Sequence, residues 1–208
     1  PNIIIILADD LGWNDISFYG GGLGNGAVQT PNIDRIAAEG VHFSNGYAGN
    51  ATCAPSRAAL LTGRYPTRYG FEFTPAPASL MSLVATFDSH REQLHPGYFL
   101  EENLSDFPPF EDQGVPTTEI LLPEILASKD YHSILLGKWH LGESEGYTPN
   151  DRGFDEFLGF LAGGAMFAEY DDPAMIKSIQ EFDGIDQFLW PNLTFAVRYN
   201  KEQRFKPD

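Results

Sequence analysis

The stretch PNIIIILADD, residues 1–10, decides the predicted fold. Its unbroken apolar run from Ile3 to Leu7 is typical of a strand buried on both faces, as in a parallel sheet. A second apolar run, residues 134–136, lies within Tyr131–Trp139 and predicts another buried strand. Helical patterns separate these runs. The expected class is therefore α/β, with a mostly parallel central sheet flanked by helices.

Three helices and one further strand are predicted between these runs. Residues 30–40 place threonine at an N-cap position, proline in the first turn and glycine past the end. Residues 51–63 carry proline near the start and glycine past the end, which predicts a second helix. A third helix is predicted from Thr117 or Thr118 to about residue 128. Residues 41–47 predict a strand.

The composition is that of a folded globular protein. The chain has 208 residues, of which 42% are hydrophobic and 13% aromatic, too many for a disordered chain. Its 29 acidic and 13 basic residues give a net charge of -16. Because nucleic acids and anionic membranes attract positive surfaces, neither is an expected partner. The sequence has no apolar stretch long enough to span a membrane, and its single cysteine excludes an internal disulfide.

Residues 74–114 are rich in proline and acids and show little periodicity, so they predict a long surface insertion. The apolar run begins almost without a preceding segment, as expected for a processed N-terminus. The other end, residues 195–208, lacks a signal that closes a helix. We therefore expect the chain to stop inside a longer protein.

Asp9 and Asp10 follow the first predicted strand, at the edge where open α/β sheets place ligands. Two adjacent carboxylates repel each other unless a cation or a basic group offsets their charge. A bare pair of this kind is also common in solvated turns. The functional alternative is a divalent metal on oxygen ligands, hence Ca²⁺ or Mg²⁺ rather than zinc.

Cys53 lies just before a predicted helix, where unpaired backbone N–H groups favour anions. An isolated cysteine is most often a small apolar side chain buried in the core. Here Arg57 follows one helical turn later, on the same helix face. Residues 41–71 contain no acid, yet they hold Arg57, Arg64 and Arg68. A basic pocket in an acidic chain indicates an anionic substrate group, which arginine matches with forked hydrogen bonds.

Lys138 and His140 are two residues apart, so on a strand their side chains project to the same side. Together they would hold an anion and transfer a proton. An ordinary strand end with an exposed lysine explains the same pattern, and spacing alone does not choose between the two.

These segments carry a family resemblance. CAPSR (53–57) followed by LLTG (60–63) resembles the signature of the formylglycine-dependent, type I sulfatases. Residues 2–10 resemble the opening strand and paired aspartates of that family, GKWH (137–140) its second signature, and RGFDEF (152–157) a segment that commonly follows. The resemblance runs in order from residue 1 to about 160. Asp130 departs from it where glycine is usual, and Leu136 where a smaller residue is usual.

The resemblance implies the alkaline-phosphatase-like fold, with residues 1–208 as the N-terminal part of a catalytic domain. It implies oxidation of Cys53 to formylglycine by a maturation enzyme, and hydrolysis of an aryl or carbohydrate sulfate. Asp9, Asp10 and residue 53 would hold Ca²⁺, or Mg²⁺ in its place. Further metal ligands and sulfate-binding residues are expected beyond residue 208.

The same resemblance implies the roles of three other side chains. Arg57 would stabilise the formylglycine oxygen, Lys138 would hold a sulfate oxygen, and His140 would act as the base for sulfate release. Hydrolytic members of the family are commonly exported, so a periplasmic, secreted or lysosomal location is expected.

Two other functions remain open from the sequence. One is a phosphonate monoester or phosphodiester hydrolase, which shares the fold, the metal and a Cys-x-Pro-x-Arg motif; Ser56 and the Leu-Thr-Gly segment favour the sulfatase. The other is a catalytically incomplete remnant that binds anions without turning them over.

Overall fold

The structure is a computed structural model that describes residues 1–89, 99–106, 108–164 and 198–203. The chain divides into two compact units, Pro1–Ala48 and Gly49–Asp208. Among the described residues, no helix is both long enough and apolar enough to cross a lipid bilayer.

The first unit is built from short helical elements. Two 3₁₀ turns, Trp13–Asp15 and Ser17–Tyr19, precede the short helix α1 (Leu23–Gly26) and the helix α2 (Pro31–Glu39). Helix α2 confirms the prediction for residues 30–40. The carboxylate of Asp34 accepts hydrogen bonds from the hydroxyls of Ser17 (2.6 Å) and Thr30 (2.7 Å). These bonds tie the start of α2 to the preceding turns, and the bond from Ser17 is the largest cause of the lowered pKa of Asp34.

The predicted strands in this unit are wrong. Neither residues 3–7 nor residues 41–47 form a strand, and Ile4 and Ile6 are each 83% exposed. A β-strand needs a neighbouring strand for its backbone hydrogen bonds and cover on both faces for its apolar side chains. The described elements of this unit are helical and provide no such neighbour.

The described residues of the second unit form three α-helices: α3 (Cys53–Thr62), α4 (Ala78–Ser89) and α5 (Leu122–Ala127). Helix α3 agrees with the prediction for residues 51–63 and ends at Gly63, whose backbone is left-handed (φ 66°). Helix α5 begins later than predicted, because Pro123 fits only its first turn. The carboxylate of Glu124 then accepts a hydrogen bond from the Leu121 N–H (2.6 Å).

The segment 74–114 contains more regular structure than its composition predicts. Helix α4 begins directly after Pro77, and the 3₁₀ helices Glu101–Asp106 and Phe110–Asp112 follow it. The sequence ASLMSLVATFDS of α4 contains no proline or glycine, so nothing in it opposes a helix. That the segment is an insertion stays a prediction.

The sheet combines parallel and antiparallel pairing. Strands β1 (Ile134–Lys138) and β2 (Glu156–Phe160) are parallel, with Ile134 opposite Glu156 and Lys138 opposite Phe160. The strands β3 (Arg198–Tyr199) and β4 (Glu202–Gln203) add antiparallel pairs beyond β2. β1 is shorter and more exposed than the predicted buried strand.

The connection from β1 to β2 includes the 3₁₀ helix Pro149–Arg152. The Arg152 side chain is almost fully buried and donates hydrogen bonds to the carbonyls of Val115 (2.9 Å) and Glu119 (2.6 Å). It therefore fixes the chain that leads into α5.

Asp130, just after α5, has a left-handed backbone (φ 59°). Glycine, the usual residue of the family pattern here, adopts this conformation without strain. Aspartate tolerates it better than most other residues, so the departure at Asp130 is compatible with the fold.

The core lies between α3, α5 and the carboxyl ends of the parallel strands. Among the residues that the structure describes, nine buried side chains form it: Ala54, Ala58, Phe71, Val115, Leu121, Trp139, Leu141, Phe157 and Leu161. The indole N–H of Trp139 donates to the carbonyls of Gly142 (3.0 Å) and Tyr147 (2.9 Å). The Trp139 ring therefore anchors the turn after β1 to the core.

Candidate active site

Cys53 is the first residue of helix α3 and is half-buried. The Asn50 side chain accepts hydrogen bonds from the Thr52 backbone N–H (2.9 Å) and hydroxyl (3.0 Å), which turns the chain into the helix. Thr52 has an extended backbone, as an N-cap residue should. Ala54 and Pro55 are buried against the core, so the helix start is held firmly.

Arg57 connects this helix to the end of β1. Its position one turn after Cys53 in α3 confirms the local placement predicted from the sequence. Its guanidinium donates a hydrogen bond from Nη1 to the Lys138 carbonyl (2.8 Å). A contact between residues 81 positions apart therefore brings the first and second sequence signatures together.

Lys138 and His140 do not share a regular strand. β1 ends at Lys138, which is half-buried, and His140 lies two residues later with a left-handed backbone (φ 64°). Gly137 also has a positive φ (102°), a conformation that side-chain-bearing residues rarely adopt. The alternation rule that predicted a common side therefore does not apply here.

His140 is held against the core by packing and by its backbone. The residue is 4% exposed, and its backbone N–H donates to the Leu161 carbonyl (2.9 Å). A Cβ atom at Gly163 would lie 2.7 Å from both Cε1 and Nε2 of the imidazole. At position 163, therefore, only glycine leaves enough space for the His140 ring.

The predicted basic pocket contains fewer arginines than expected. Arg64 lies two residues beyond Thr62, at the opposite end of α3 from Cys53. Its guanidinium pairs with the buried carboxylate of Glu119, with Nη1 2.6 Å from Oε1. Arg68 is exposed in the 3₁₀ helix Pro66–Arg68. Of the three arginines, only Arg57 is shown in contact with the second signature.

Asp9 and Asp10 belong to the first unit, where both are exposed and Asp10 has a left-handed backbone (φ 63°). The part of the chain that the structure describes contains no group of three or more His, Cys, Asp or Glu residues arranged to hold a metal ion. Paired carboxylates suit Ca²⁺ or Mg²⁺ in donor chemistry, but Ca²⁺ takes about six to eight oxygen ligands. The two aspartates therefore fit part of a metal site.

Sequence reasoning did not identify two residues next to the predicted ones. Gly163 packs on His140, and the Thr74 hydroxyl lies 3.9 Å from Cys53 Sγ. The Gly-Gly pair at 163–164 is a signal for close backbone approach. Thr74 stands within a segment without a recognisable pattern, and only the tertiary fold places it beside Cys53.

Residues 1–204 match the Sulfatase family. Human N-acetylgalactosamine-6-sulfatase is 40% identical over 174 residues, which are 84% of this chain and 28% of that protein. Human arylsulfatase A is 37% identical over 161 residues, 76% of this chain and 25% of that protein. The chain thus spans less than a third of the length of these relatives.

The solved structures agree. The crystal structure of Ps i-CgsB superposes with a TM-score of 0.63 at 32% identity, covering 98% of this chain and 37% of that one. The same protein in complex with k-i-k-neocarrahexaose gives a TM-score of 0.61 at 30% identity, with the same coverage. This similarity confirms the predicted α/β class. With both signatures joined through Arg57 and the family match over nearly the whole length, the chain belongs to the sulfatase family.

Proposed function

We propose that the complete protein hydrolyses sulfate esters and that residue 53, as formylglycine, is its nucleophile. The contact between the Arg57 guanidinium and the Lys138 carbonyl carries this proposal. It links the helix that begins at Cys53 to the strand end that leads to His140. A nucleophile, a cation and a titratable group therefore lie on elements that are locked to each other.

Each side chain has a distinct role in the proposed site. Arg57, one turn after Cys53, supplies a cation beside the nucleophile, and Lys138 binds a sulfate oxygen as a second cation. His140 holds or moves a proton at the oxygen of residue 53. Its burial excludes water and fixes the ring, which favours a defined direction of proton transfer.

Formylglycine would supply an oxygen nucleophile for the attack on sulfate. It would also allow the sulfate to be released without attack by water on a sulfate ester of the enzyme. Asp9 and Asp10, with residue 53, would hold Ca²⁺ or Mg²⁺, and the metal would supply positive charge for sulfate oxygens. Ligands beyond residue 208 would complete its coordination.

A sulfated carbohydrate is the proposed substrate class. One relative is named for N-acetylgalactosamine 6-sulfate, and one solved relative holds a neocarrahexaose. An aryl sulfate serves as the simpler test compound, because a relative is named an arylsulfatase.

The test uses protein expressed from its full reading frame together with a formylglycine-generating enzyme. We expect sulfate release from N-acetylgalactosamine 6-sulfate or 4-nitrocatechol sulfate, and none from the Cys53→Ala variant. Faster turnover of a phenylphosphonate monoester or of bis(4-nitrophenyl) phosphate than of either sulfate would instead identify a phosphonate or phosphodiester hydrolase. No turnover of any of them by protein carrying formylglycine would identify an anion-binding remnant.

We also propose two properties of the protein in its source. A maturation enzyme recognises the CAPSR segment, and the protein functions outside the cytoplasm, as the resemblance implies. Fractionation of the native source tests the second point. Activity confined to the cytosol would contradict it.

A further inference from the structure

We propose that Thr74 is an additional residue of the reactive site, whose hydroxyl donates a hydrogen bond to the side chain of residue 53. The observation is the 3.9 Å separation of Thr74 Oγ1 from Cys53 Sγ, between two half-buried residues 21 positions apart. The inference deepens the proposed function and rests on it for the catalytic role. The contact itself is independent of any activity.

Thr74 is held in place from both sides. Phe71 and Ala76 are both buried, and the Phe71 N–H donates to the Pro66 carbonyl (3.3 Å). The Gln113 side chain clamps the backbone of Ala76 by accepting its N–H (2.7 Å) and donating to its carbonyl (3.0 Å). A third bond joins Gln113 to the Pro108 carbonyl (2.9 Å). Thr74 is therefore an anchored neighbour of Cys53.

The direction of the hydrogen bond follows from the chemistry of the two groups. While Cys53 is a thiol, either the sulfur or the hydroxyl oxygen can donate. A thiolate can only accept, so the threonine hydroxyl must then be the donor. The same hydroxyl can donate to an oxygen on residue 53 after maturation. Thr74 thereby orients the reactive side chain, and it would act together with Arg57.

The contact is tested on the thiol form of the complete protein, produced in a host without a formylglycine-generating enzyme. The rate of alkylation of Cys53 by iodoacetamide at neutral pH is followed by peptide mass spectrometry. Because the proposed hydrogen bond orients the reacting sulfur, its loss in Thr74→Val should slow alkylation about fivefold. Thr74→Ser, which keeps the hydroxyl, should react at close to the original rate.

Thr86→Val is the matched control, because the Thr86 hydroxyl is exposed on α4 and donates to the Ser82 carbonyl of its own helix (2.9 Å). It should leave the alkylation rate unchanged. Equal rates for Thr74→Val and the original protein would overturn the proposal. Equal slowing in Thr74→Ser and Thr74→Val would also overturn it, since the hydroxyl would then be irrelevant.

The mature enzyme provides a second readout. Thr74→Val should lower kcat for a sulfate ester with KM nearly unchanged, and Thr74→Ser should restore kcat. An unmutated protein that carries formylglycine but releases no sulfate would refute the proposed function. The alkylation rates would still decide whether Thr74 donates to residue 53.

Discussion

Replacing Gly163 by alanine places a methyl group against the imidazole of His140. The new Cβ would lie 2.7 Å from Cε1 and Nε2 of the ring, whereas ordinary Cβ contacts begin near 3.4 Å. The difference between these two distances, 3.4 minus 2.7, is 0.7 Å, and either the ring or the chain at residue 163 must move by that amount. The φ angle of Gly163 is not in the left-handed region, so the backbone accepts alanine and the clash is the main effect.

A displacement of this size should lower kcat about ten- to a hundredfold, because proton transfer depends on sub-ångström placement. The assay is steady-state hydrolysis of a sulfate ester by the mature, complete protein. Histidine-selective ¹³C NMR follows the Cε1 signal of His140 in parallel. KM should change less than kcat, since in the proposed site Lys138, and not His140, binds the sulfate.

Gly46→Ala is the matched control. Its φ is also outside the left-handed region, and its Cβ would lie 3.8 Å from the Phe43 carbonyl oxygen, an ordinary contact. This variant should keep the original kcat and leave the His140 signal in place. An unchanged kcat together with an unchanged His140 signal in Gly163→Ala would refute the reasoning.

Three further variants test other contacts. Arg152→Met should lower the free energy of unfolding by about 3 kcal/mol, because two buried carbonyls lose a charged donor; a loss below about 1 kcal/mol in urea unfolding would contradict this. The hydrogen bond to Glu156 is the largest cause of the raised pKa of His132. This bond therefore stabilises the folded protein fully at pH values below 6.5, the ordinary pKa of histidine, and the stabilisation is lost as pH rises through the raised pKa of His132. Unfolding of His132→Asn and the original protein should therefore differ at acidic pH and converge at alkaline pH; a constant difference would contradict this. Arg57→Met should lower kcat for a sulfate ester about a hundredfold, and the exposed Arg68→Met should change it less than about twofold; equal losses in the two variants would restore Arg68 to the pocket.

Signals that act within one helical turn were readable from the sequence. Helix α3 follows from Pro55 near its start and Gly63 at its end. The structure places Arg57 on it as expected and makes Cys53, predicted to lie just before it, its first residue. Helix α2 follows in the same way from residues 30–40. Caps, prolines and glycines act on neighbouring residues, so a local pattern is enough to predict their effect.

Features that depend on distant partners were predicted less well. An apolar run at residues 3–7 carries no information on which strand would pair with it. Arg64 pairs with Glu119, 55 positions away in the sequence, and not with the predicted basic pocket. The geometry of Lys138 and His140 depends on the positive φ angles of Gly137 and His140, which break the alternation of a strand. Thr74 and Cys53 are 21 positions apart, so no local pattern predicts their contact.

The chemical state of residue 53 tests the central proposal most directly. The measurement is mass spectrometry of the peptide that contains Cys53, isolated from the protein in its native source. A peptide in which sulfur is replaced by oxygen and two hydrogens are lost is the predicted result, because formylglycine is the proposed nucleophile. An intact thiol, from a source shown to convert another sulfatase, would contradict formylglycine-based hydrolysis by this protein.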